Sequence, residues 1–154
     1  VIEKKNSGAT IEEAAAFAEE NKLRICHWFT VDDLEYLKRG GRISAAAAFF
    51  GNMLGIKPVL RMDDTGHLVP FSKVRGRKTS ITALADKYTE LALTPEKGLI
   101  YISHGDCHKD AEELANIIKS RHGNNVDIIT DVGPVIGAHA GPGVIALFFL
   151  GKER

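Results

Sequence analysis

Cysteine is scarce in this chain. Only Cys26 and Cys107 are present, far apart and outside any CxxC pair, which excludes a disulfide or zinc framework. Reduced cytoplasmic thiols are the economical expectation. Net charge is also missing, because 20 basic residues offset 20 acidic ones. A protein that coats a polyanion carries a strong basic excess, so nucleic acid is not an expected partner. There is no long hydrophobic run either: Val144–Leu150 is far too short to cross a bilayer. No basic start, apolar stretch and small-residue cleavage site marks a signal peptide. The GxxxxGK[ST] and GxGxxG phosphate loops and the GxSxG nucleophile elbow are absent, so an autonomous nucleotide-driven enzyme finds no support.

What is present suits one domain with a sizeable core. The chain opens on Val1, in what reads as the tail of a helix (VIEKK), and an excised piece of a longer protein is the expectation. Thr10-Ile11-Glu12-Glu13 is a capping box that starts an alanine-rich helix to about Asn21. Strands are expected over 23–30, 57–62, 67–74, 98–103, 126–130 and 143–150, with the Asp63-Asp64-Thr65-Gly66 turn joining two of them as a hairpin. Helices are expected over 32–38, 44–54, 79–93, 110–121 and 132–138. Six strands interleaved with helices make an α/β domain, and the hairpin makes its sheet mixed.

Several segments could carry chemistry. In VDDLEYLKRGGRIS, residues 31–44, a charged helix runs into Gly40-Gly41 and then Arg42. Two glycines give up helix stability for backbone freedom, as a tight turn, a close contact or an anion site requires. An ordinary helix cap, with Gly40 left-handed and Arg42 solvated, accounts for them equally well. In Gly137-Ala138-His139-Ala140-Gly141-Pro142-Gly143, flanking glycines leave an imidazole uncrowded, suited to holding a carboxylate or moving a proton. The alternative is a plain helix-to-strand connection. Lys73, Arg75, Arg77 and Lys78 form a basic cluster where a strand meets a helix, either an anion surface or a solvated one. His104, Cys107 and His108 share one loop without a fourth ligand at a recognisable spacing, so no metal site is expected. Asp106 and Asp110 read as turn and N-cap residues. Cys26 and His27 point to opposite faces of a strand and form no dyad.

The blocks VDDLEYLKRGGRIS, GIKPVLRMDDTGHLVPFSKVRGRK and GAHAGPG, in this order and spacing, resemble the DegV family of bacterial fatty-acid-binding proteins over nearly the whole chain. The resemblance implies a two-layer α/β domain with a mixed six-stranded sheet, the C-terminal half of a protein that buries one fatty acid between two domains. Residues 1–22 would then be a helical lead-in from a missing N-terminal domain and 23–154 the C-terminal domain. The family's N-terminal serine and threonine, which help bind the carboxylate, are absent from this chain. By resemblance, His139 binds the fatty-acid carboxylate, with Gly137, Gly141 and Gly143 shaping its loop. Arg42 and Arg75 match head-group-rim or partner-docking arginines, with Arg77 as a neighbour. The implied partner is a fatty-acid kinase catalytic subunit that makes acyl phosphate, while this protein presents the acid and is not catalytic. No cofactor is implied beyond the long-chain fatty acid as ligand. Phe49, Phe50, Met53, Leu54 and Ile56 could line an acyl tunnel or serve as core. A phosphotransferase using His139 and a regulatory interaction module are the competing functions.

Overall fold

The computed structural model describes residues 1–42 and 55–154. The expected helix over 44–54 and the tunnel candidates Phe49, Phe50, Met53 and Leu54 lie outside the described residues. Two N-terminal helices, α1 (Ile2–Asn6) and α2 (Ile11–Asn21), lead through a 3-10 turn into β1 (Ile25–Thr30). Then follow α3 (Leu34–Arg39), β2 (Ile56–Met62), β3 (Leu68–Arg75), α4 (Arg77–Leu91), β4 (Ile100–His104), α5 (His108–His122), β5 (Ile128–Asp131), α6 (Pro134–Ala140) and β6 (Ile145–Leu150). The capping box forms as its sequence requires: Glu13 N–H donates to Thr10 Oγ1 and Thr10 N–H to Glu13 Oε2.

The six strands make one mixed sheet in the order β3-β2-β1-β6-β4-β5. Only β4 and β5 run parallel, joined by α5 as the crossover, and every other pair is antiparallel. The β2–β3 hairpin turns on Asp63, whose carboxylate accepts from the amides of Thr65 and His67, with Gly66 at φ +84°. This register brings the C-terminal ends of β1, β3, β4 and β5 to one end of the sheet, beside the starts of β2 and β6.

Strand alternation gives the two sheet faces different roles. Cys26, Trp28, Ile100, Ile102, Leu147 and Phe149 face α4 and α5 and form the main core with Ile81, Leu84, Tyr88, Leu114 and Ile118. Tyr88 OH donates to Pro95 O at 2.8 Å, so its hydroxyl is satisfied within that core. The opposite face carries His27, Phe29, Ser103, Ala146 and Phe148, and only the short helices α3 and α6 among the described residues pack at its end.

Helix boundaries differ from expectation, three of them at candidate residues. Gly76, at φ +90°, starts α4 directly after β3, so the helix begins at Arg77 and not Thr79. Cys107, not Asp110, is the N-cap of α5, and Asp110 lies in its first turn. Helix α6 runs to Ala140, which places His139 inside its last turn and not in a loop.

Ile102 is fully buried at the centre of the sheet, paired with Leu147 and Ile129. Ile102→Ala is expected to cost about 2–5 kcal/mol, read as a lowered urea midpoint at unchanged slope.

Candidate functional site

The site forms where two segments a hundred residues apart meet at the end of the sheet. Helix α3 starts at Asp33, whose carboxylate accepts from Glu35 N–H at 2.8 Å. It ends in a Schellman turn: Arg42 N–H donates to Leu37 O and Gly41 N–H to Lys38 O. Gly41 takes the left-handed conformation at φ +70°, while Gly40 is right-handed at φ −74°. The left-handed glycine is therefore the second of the pair and not the first.

Gly40 has a different reason to lack a side chain. A Cβ there would collide with Nδ1 of His139 and lie 3.2 Å from its Cγ. Two more close approaches follow along the same interface. A Cβ on Gly141 would come within 2.6 Å of Tyr36 Cγ, and one on Gly143 within 2.8 Å of Asp32 Cβ. Real Cβ atoms do not tolerate such distances, so α3 and the 139–143 segment meet closely because glycine stands at each contact. Gly137 is less tightly constrained, its nearest neighbour being a Val132 methyl at 3.7 Å.

Arg42 Nη1 donates to Gly40 O at 2.8 Å, which folds the guanidinium back onto the turn. Arg42 and His139 thus both contact Gly40. Both line a groove of about 1030 Å³ on the sheet face opposite α4 and α5, at the upper end of small-molecule sites. Its apolar lining includes Phe29, Leu68, Val69, Ala146 and Phe148 from the sheet and Val135 and Ile136 from α6. Val135 and Ile136 are 68% and 56% exposed and put apolar surface at the groove's edge. Of the tunnel candidates in the sequence, Ile56 is described, and it does not line this groove.

The basic cluster does not act as one surface. Arg75 is exposed at the end of β3, opposite Ile56, and does not line the groove. Arg77 is drawn inward: its Nε pairs with Asp110 at 2.8 Å and its Nη1 lies 3.6 Å from Asp32. Lys57 Nζ pairs with the same Asp32 oxygen at 2.8 Å. This network ties β2, α4 and α5 to the loop that carries α3, which makes Arg77 a positioning residue.

The histidine–cysteine segment is a separate cluster. Buried His104 has its Nε2 3.1 Å from His108 Nδ1 and its Nδ1 3.3 Å from an Asp131 carboxylate oxygen. Burial pushes the Cys107 thiol above its ordinary pKa, and it donates to Val144 O at 3.3 Å, so it is a poor nucleophile. No group of three or more metal-ligating side chains occurs among the described residues. No described helix is long and apolar enough to cross a membrane.

A family model described as "Uncharacterised protein, DegV family" matches residues 3–152. The chain belongs to the DegV family. A DegV domain-containing protein of Clostridium perfringens is 44% identical over 150 residues, covering 97% of this chain and 52% of the relative. The chain spans about half the length of the curated relatives it matches. Among solved structures, a DegV lipid-binding protein of Thermotoga maritima superposes with a TM-score of 0.79 at 32% identity, over 99% of this chain and 52% of that one. A fatty-acid-binding DegV protein of Streptococcus agalactiae gives 0.79 at 29% identity, over 99% and 53%. The mixed six-stranded α/β sheet is the DegV fold. The Schellman turn was foreshadowed by the paired glycines, but nothing local in the sequence signalled the Asp32–Arg77–Asp110 network.

Gly141→Ala should destabilise this DegV chain by about 2–5 kcal/mol, since it combines a left-handed backbone at φ +76° with the Tyr36 ring. Gly123→Ala, at φ +70° with open space around it, should cost only about 1–2 kcal/mol. Thermal or urea unfolding of the two variants checks the difference.

Proposed function

We propose that this protein holds one long-chain fatty acid in the groove, with its carboxylate at the His139–Arg42 end. It presents that carboxylate to a fatty-acid kinase catalytic subunit, which forms the acyl phosphate, and performs no phosphoryl transfer itself. The observation that carries the reading is the groove: an apolar channel on the sheet face opposite α4 and α5, with an imidazole and a guanidinium joined through Gly40. The lipid-binding and fatty-acid-binding relatives of the same fold support the ligand class.

The chemistry divides cleanly between the two ends. Each methylene taken out of water contributes about 0.8 kcal/mol, so a long tail needs an apolar wall more than polar contacts. A carboxylate leaving water needs donors, because an unpaired buried charge is very costly. His139 supplies one through its imidazole N–H. Arg42 lies at the exposed rim, where it adds positive potential toward a partner that arrives with nucleotide phosphates. Arg75, on the exposed surface at the same end of the sheet, extends that docking side and does not touch the acid. The other half of the full-length protein completes the groove.

Delipidated full-length protein should bind oleate by calorimetry, and His139→Ala should weaken binding by about tenfold or more, as expected for losing a hydrogen bond to a charged group. Arg42→Ala should leave oleate affinity within about threefold of the wild type, well under a full hydrogen bond's worth, while lowering acyl-phosphate formation by the kinase subunit. Acyl phosphate made from ATP and oleate by this protein alone would contradict the binding role.

A further inference from the structure

Two polar side chains, His27 and Ser103, stand on the sheet floor of the groove, and of these His27 is the one set back from the head-group end. His27 projects from β1 to the groove face between the apolar positions Ile25 and Phe29, and its cross-strand partner there is Phe148. The two rings meet edge to face, with centroids 5.1 Å apart. Its imidazole has no hydrogen-bond partner among the described residues, although the groove around it is mainly apolar. Burial, with Arg154 nearby, lowers its pKa, so the ring is neutral at pH 7 and offers one donor and one acceptor. His27 lies three residues from Thr30, about 10 Å back along β1 from the end of the sheet where α3 and α6 attach. That places it beside the middle of a chain whose carboxylate is at His139, not beside the head group.

We propose that His27 makes the groove selective for long-chain acids with a mid-chain hydroxyl. The inference rests on the fatty-acid reading of the groove and names the class of acid within it. A saturated chain lying over His27 strips water from both ring nitrogens and returns nothing, whereas a hydroxyl replaces what the imidazole loses. A site with a buried hydrogen-bonding group discriminates against the analogue that lacks its partner more strongly than an apolar wall discriminates by size. A double bond gives the imidazole only a weak N–H···π contact and is a poor substitute.

The test uses delipidated full-length protein titrated with stearate and 10-hydroxystearate. The wild type should bind the hydroxy acid about tenfold more tightly. His27→Leu should abolish or reverse that preference while binding stearate at least as well, and His27→Gln should keep it. Equal affinities in the wild type, or an unchanged preference in His27→Leu, would overturn the proposal and leave the fatty-acid reading standing. Failure of the wild type to bind either acid would overturn the fatty-acid reading, and the selectivity with it.

Discussion

The close packing of α3 against the 139–143 segment is the constraint on which the site depends. Gly40 faces the His139 ring, Gly141 faces Tyr36 and Gly143 faces Asp32, so three successive contacts occur at distances that a methyl group would prevent. Because of this approach, a histidine at the end of one short helix lies against the turn that ends another. Gly41, in the left-handed conformation, then turns the chain so that Arg42 reaches the same carbonyl region. Neither helix is long enough to hold its place by propensity alone, since short helices are marginal without tertiary contacts. Leu37, Ala140 and Val144 supply those contacts, packed with Phe29, Val31 and Leu60 in a second small core.

Around this junction, charge is used for position more than for recognition. Asp32 receives Lys57 and Arg77, and Arg77 also holds Asp110, so the loop entering α3 is tied to three other elements. These pairs are partly shielded from solvent, where an ion pair is screened less than at an open surface. Arg42, at the groove's rim, and Arg75, outside it at the end of β3, are both exposed.

Much of the fold was legible in the sequence because it depends on local chemistry. The capping box at Thr10, the Asp63–Gly66 hairpin and the apolar periodicity of Ile81, Leu84, Ala85, Tyr88 and Leu91 each have a short-range signature, and each formed. Long-range choices were not legible in the same way. Arg77 read as one cation among four, and only the folded register reveals the two carboxylates that claim it. The seven residues of α6 carry two exposed apolar side chains and two small ones, too few to fix a helical period, so the helical setting of His139 was missed. The paired glycines announced a special turn, but which one bends the chain and which one admits the imidazole follows from the partner segment.

The central proposal is a fatty-acid site on the sheet face opposite α4 and α5, with its acid end at His139. Mass spectrometry of organic extracts from the full-length protein, purified beside its His139→Ala variant, tests this most directly. About one long-chain fatty acid per wild-type molecule is expected under conditions that preserve tight complexes, with a clear loss from the variant. A wild-type protein that carries no fatty acid and takes none up when offered it would contradict the account.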